Sequence, residues 1–184
     1  MIGASHMRKT IIPKHYHFSC YIEAKNTNDL LKNFIIESLL SLNGLSKNIS
    51  LSVSDKNYEV SGVAQIIITH IYGDSFEIKF QKNHEKHKKI LSENLKYGSN
   101  IFTEIKIKYY YFEKNVKKYC WSDSYILSIR PITNEMISVN ISHIRGLRRI
   151  SIETLFNIFY YSLINIFRYH NVSLENIRLI RILG

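Results

Sequence analysis

Apolar and polar positions change their spacing several times along the chain, and each change marks an element. Tyr16 to Ala24 reads as a first strand. Leu30, Leu31, Phe34, Ile35, Leu39 and Leu42 then recur at helical spacing, with Asn26-Thr27-Asn28-Asp29 supplying caps and Gly44 a stop. Ile49 to Ser54 alternates as a half-buried strand does, and Asp55-Lys56-Asn57 is a turn. Tyr58 to Ile71 is a long β-rich run in which Gly62 marks a bulge or break. After Tyr72-Gly73-Asp74 turns the chain, Ser75 to Phe80 alternates again. Asn83 to Tyr97 is a polar helix whose few apolar residues, Ile90, Leu91 and Leu95, can bury only a narrow stripe.

The second half repeats this grammar. Ile101 to Phe112 is a strand with Ile105, Ile107, Tyr109 and Tyr111 on one face and Lys106, Lys108, Tyr110 and Phe112 on the other. Glu113-Lys114-Asn115 makes a hairpin tip, Val116 to Arg130 returns, and Met136 to Ile141 adds a strand. Ser151 caps a second amphipathic helix, Glu153 suits its first turn, and Leu155, Phe156, Phe159, Tyr160, Leu163, Ile166 and Phe167 form its wide apolar face. Ile177 to Leu183 closes the chain as a strand.

The predicted order is therefore β-α-β-β-β-α-β-β-β-α-β. Most strand links are too short for crossovers, so the class is α+β with a largely antiparallel sheet, two amphipathic helices and one polar helix. Two layouts fit: two ferredoxin-like halves, 7–98 and 99–184, or one extended sheet with helices on one side. No linker or repeat separates the halves, so 7–184 is expected to be a single domain. Residues 1–6 run into Met7 through a Ser-His-Met junction of the kind left by cloning, so they read as a cloning scar and Met7 as the expected natural start. The longest apolar runs, such as Ile158-Phe159-Tyr160-Tyr161, are far too short to span a bilayer, and no signal segment follows Met7. A cytoplasmic protein without membrane partners is expected. Cys20 and Cys120 fit no close-spaced metal or redox motif and read as reduced thiols.

Charge adds a functional direction. The chain carries 25 Lys+Arg against 15 Asp+Glu, a net +10. Its richness in Ile, Asn, Lys and Tyr matches AT-rich codons, which alone would raise lysine. Codon bias acts evenly, however, and this charge does not: residues 82–118 hold ten lysines, four glutamates and no arginine, a surplus of +6. The same stretch holds the densest aromatic run. Lysines suit phosphates and flat rings suit bases, so Lys106, Lys108, Tyr110, Phe112, Lys114, Lys117 and Lys118 form a candidate nucleic-acid surface. The competing reading is a strand edge guarded by lysines against aggregation. Arg145, Arg148 and Arg149 precede a helix N-terminus, where the dipole disfavours cations; a bound phosphate would reconcile them, as would acids elsewhere in the fold.

Catalytic signals are sparse. His15 and His17 lie two apart on the first strand, which allows a general acid–base role. His17-Phe18-Ser19 resembles one half of the His-x-Ser/Thr signature of 2H phosphoesterases, but no second copy follows: His70 precedes Ile71-Tyr72 and His143 precedes Ile144-Arg145. Glu77-Ile78-Lys79 and Glu104-Ile105-Lys106 are similar to the Glu-x-Lys of metal-dependent nucleases, a pattern common in alternating strands. His84 and His87 lie one helical turn apart without an evident third ligand, so no metal is expected. With seven glycines and no phosphate-cradling loop or nucleophile elbow, a nucleotide-driven enzyme is disfavoured, and no cofactor is expected. The leading expectation is a binding protein for RNA or single-stranded nucleic acid. An interaction subunit (an accessory, immunity or assembly factor) with an acidic protein partner is the first alternative, and a metal-independent ribonuclease using His15 or His17 the second.

Overall fold

A computed structural model of the chain describes residues 12–13, 15–27, 30–52, 59–80 and 84–182. Among the described residues eight strands and three α-helices follow in the predicted order: β1 Phe18–Ala24, α1 Leu30–Ser41, β2 Ser46–Ser52, β3 Glu59–Tyr72, β4 Glu77–Lys79, α2 His84–Asn94, β5 Ile101–Glu113, β6 Val116–Pro131, β7 Met136–Arg145, α3 Ile152–Tyr169 and, after a short 3-10 turn at Leu174–Asn176, β8 Ile177–Arg181. The expected turn at 55–57 lies outside the described residues, as do the candidate caps Asn28 and Asp29.

All strands join one antiparallel sheet in the order β2-β3-β5-β6-β7-β1-β8, with β4 paired to the remaining stretch of the β3 edge. Of the two layouts the pattern allows, the single extended sheet is the one formed. The strand from the start of the chain, β1, pairs with β7 and β8 from its end, so the halves share one hydrogen-bonded ladder.

The register aligns the apolar positions row by row. Cys20 faces Val139, Ile22 faces Ile137, Val139 faces Ile129, Ile129 faces Ile101, Ile105 faces Ile68 and Ile107 faces Ile66, and all of these are buried. α1 and α3 pack on one another over this side, and Leu31, Phe34, Leu39, Phe156, Phe159 and Phe167 enter the same core. α1 is buried around most of its circumference because α2 covers its outer side, tied by Lys88 Nζ donating to Glu37 Oε1 at 2.5 Å. Ser151 caps α3 as expected, its Oγ accepting from Thr154 N at 3.1 Å.

Gly62 neither breaks nor bulges β3, contrary to the expectation. It sits mid-strand because a Cβ there would lie 2.6 Å from Tyr110 O and collide with the Leu51 side chain. The bulges fall elsewhere: at Thr69 in β3, Cys120 in β6 and Ile144 in β7. Among the described residues no helix is long and apolar enough to cross a membrane.

Candidate nucleic-acid interface

Alternation along β5 divides its side chains between two environments. Ile105, Ile107 and Tyr109 are buried in the core, whereas Lys106, Lys108 and Tyr110 are half-buried and Phe112 is exposed on the opposite face, away from the helices. β5 is flanked by β3 and β6, so the lysines do not guard an edge; they stand at the middle of the sheet. The register sets Lys106 opposite Ser124, Lys108 opposite Gln65 and Ser122, Tyr110 opposite Tyr119, and Phe112 opposite Lys117. The Cys120 bulge makes the last two pairings possible. It places Trp121 beside Tyr109 on the core side and Tyr119 beside Tyr110 on the open side. The Tyr110 and Tyr119 rings meet edge to face at 5.9 Å, and the Lys117 ammonium lies 4.0 Å above Tyr110. Phe112 and Tyr119 are 53% and 55% exposed, so two rings present open surface beside three lysines.

Other basic residues of the stretch go elsewhere. Lys118 pairs with Tyr111 on the other face and forms an ion pair with Glu113. Lys114 and Asn115 make the two-residue turn with φ of 48° and 64°. The α2 lysines belong to the helical layer. The basic cluster that is continuous in sequence is thus divided between the two sides of the fold.

The three arginines are divided as well. Arg145 stands opposite Ser124, in the row that contains Lys106, and so joins the open face. The loop that follows folds around Asp123, a fully buried carboxylate. Asp123 Oδ1 accepts from Arg148 N at 3.1 Å, and Oδ2 accepts from Arg149 N at 2.8 Å and from the Tyr109 hydroxyl at 2.6 Å. The Tyr109 oxygen in turn accepts from Ile150 N at 3.2 Å, and the Tyr125 hydroxyl donates to Ile150 O at 2.6 Å. Burial, reinforced by the Asp123 hydrogen bond, pushes the Tyr109 phenol far up, which keeps it a donor. Gly146 completes the turn at φ 108°, and a Cβ there would strike Asp123 Oδ1. The anion expected from the arginine cluster is therefore partly internal: Asp123 holds the backbone of the loop. The guanidinium groups take separate paths, with Arg149 stacked 4.4 Å over Trp121 and Arg148 beside His143, whose pKa is lowered first by burial and then by that charge.

Where Lys106 and Arg145 meet, the open face carries a depression of about 580 Å³. Thr69, His70, Glu104, Ser124, Ile126 and Ile144 are also among the residues that line it. Two of these, Thr69 and Ile144, are the bulge residues of β3 and β7, and bulges of this kind re-aim the side chains next to them. His70 Nδ1 lies 3.2 Å from Glu104 Oε2, and Thr69 Oγ1 donates to Glu104 O and Oε2, each at 3.3 Å. The pairing of His70 with Glu104 is not legible in the local sequence, because the match of the two positions depends on the Thr69 bulge. The available signal was the alternation of β5, which sets Glu104 and Lys106 on one face.

His15 and His17 do not line this depression. Both are exposed and precede β1 rather than lie on it; the His15 carbonyl accepts from Ser142 Oγ at 2.7 Å and His17 Nδ1 from His143 N at 3.3 Å. His87 is buried against Phe80, with ring centroids 4.7 Å apart, while His84 is exposed. Among the described residues no three His, Cys, Asp or Glu side chains are grouped to hold a metal ion. Both cysteines are free, and burial raises the Cys20 thiol to about 12. No protein-family model matches the sequence, and neither a curated protein nor a solved structure matches the chain.

Proposed function

We propose that the protein binds single-stranded nucleic acid, RNA in the first instance, across the open face of its sheet. The observation that supports this most is the composition of that face at the β5–β6 hairpin. Lys106, Lys108, Lys117 and Arg145 supply cations there, and Tyr110, Phe112 and Tyr119 supply rings, on the face of these strands opposite the core. From Lys106 to Phe112 the strip runs about 20 Å at the usual strand rise, enough for several nucleotides. Aromatic stacking contributes about 1–3 kcal/mol per base and tolerates any sequence, while cations follow the backbone. A duplex hides its base faces, so unstacked strands suit the rings better.

Fluorescence anisotropy with labelled 12-nucleotide single strands and the corresponding duplex tests this. Single strands should bind more tightly than duplex at low salt. Tyr110→Ala and Phe112→Ala should each weaken single-strand binding by about tenfold, the lower end of a lost stacking contact. No binding to any oligonucleotide at low salt would overturn the proposal.

A further inference from the structure

Beyond binding, we infer that the depression between the Thr69 and Ile144 bulges is a metal-independent RNA-cleaving site. His70 takes the proton of the attacking 2′-hydroxyl there, and Lys106 and Arg145 hold the phosphate. The inference rests on the nucleic-acid reading, because the depression lies at the Lys106 end of the same strip.

Four observations converge. The volume, about 580 Å³, falls in the range of small-ligand sites and admits a nucleotide. His70 Nδ1, 3.2 Å from Glu104 Oε2, donates its proton to that carboxylate and leaves Nε2 as the basic nitrogen. Thr69 Oγ1 also donates to the Glu104 carboxylate, so the acid that orients His70 is itself oriented. Lys106 and Arg145 reach the same depression from the two strands flanking β6, which brings two cations to one spot. A histidine oriented by a carboxylate beside paired cations offers a general base and stabilisation of the charge that develops in phosphodiester transfer.

The step balances without a further reactant. The 2′-oxygen bonds to phosphorus while the P–O5′ bond breaks, giving a 2′,3′-cyclic phosphate and a 5′-hydroxyl end. The 2′-proton passes to His70 Nε2. The departing 5′-oxygen takes a proton from water, and the imidazolium returns its proton to the hydroxide left behind. Lys106 and Arg145 offset the charge that grows on the phosphoryl oxygens. Glu104 is a positioning residue, since it acts through His70.

The test uses the full chain, EDTA and two labelled oligonucleotides of one sequence, one RNA and one 2′-deoxy. The RNA should be cut to 2′,3′-cyclic phosphate ends, identified by mass spectrometry, and the 2′-deoxy strand should bind uncut. His70→Ala should slow cleavage by about 10²-fold or more while 2′-deoxy binding is kept. His70→Gln, which retains a hydrogen bond to Glu104, serves if the alanine variant does not melt cooperatively. Glu104→Gln should lower kcat with KM unchanged, a split that a merely structural role would not give. Intact RNA alongside a bound 2′-deoxy strand overturns this inference alone; no binding of either strand overturns the binding proposal too. Cleavage that survives both His70 variants, or that EDTA abolishes, also overturns it.

Discussion

At the scale of single residues, Asp123 does the most with the least exposure. Its carboxylate accepts three donors, two of them backbone N–H groups of a loop that a side chain could not otherwise hold. Asp123→Ala would leave Arg148 N, Arg149 N and the Tyr109 hydroxyl without their acceptor in a buried place, a cost of about 3 kcal/mol or more. Asp123→Asn keeps one acceptor oxygen and should cost less; urea unfolding of both variants measures the order. A second residue-scale prediction concerns acid. Burial first, then His84 and Lys86, lowers the pKa of His87, and burial likewise lowers that of His143. As pH falls, the unfolded chain therefore takes up these protons before the folded chain does. Stability is full above the unfolded histidine value of about 6.5 and falls as pH drops below it, levelling once the folded groups also protonate. Melting temperature followed from pH 7.5 to 5 should show this decline, and His87→Leu should flatten it. A slope as steep as the parent's would assign the acid sensitivity to other groups.

Among the elements, the β5–β6 hairpin carries both the candidate interface and the clearest limit on reading the sequence. Its strands and its faces were legible because period-two alternation is a local property: Lys106, Lys108, Tyr110 and Phe112 do share the face away from the core. Its place in the sheet was not legible. β5 pairs with β3 across β4 and the whole of α2, a contact between distant segments that no local spacing reports, and that pairing rules out the competing reading of β5 as an edge. Bulges escaped for a related reason. Cys120, Thr69 and Ile144 look like ordinary strand residues, and only their partners' register makes them extra. The site built on two of those bulges, with His70 beside Glu104, was therefore invisible, while the Lys/aromatic strip was visible. The turn of this hairpin yields a prediction. Lys114 stands at φ 48°, a left-handed conformation that asparagine tolerates and lysine does not favour. Lys114→Asn should stabilise the protein by about 0.5–1 kcal/mol, seen as a higher urea midpoint with an unchanged m-value.

For the whole molecule, the question is how a net charge of +10 is used. Spread evenly, it would give weak, directionless attraction to any polyanion. The fold instead sends the α2 lysines to the helical layer and ties Lys118 to Glu113, while Lys106, Lys108, Lys117 and Arg145 line the strip on the open face, which also carries Lys79 and Arg130 farther along the sheet. If those four cations each neutralise one phosphate, the logarithm of the affinity for a single strand should fall with the logarithm of salt concentration at a slope of about −3, from about −0.7 per phosphate. Lys108→Gln should reduce the steepness by about 0.7, whereas Lys118→Gln, on the other face, should leave the slope unchanged. Titrations at four salt concentrations with each variant separate the two cases. Equal effects from both substitutions would mean that total charge, not the open face, drives association, and the strip would lose its claim as the binding site.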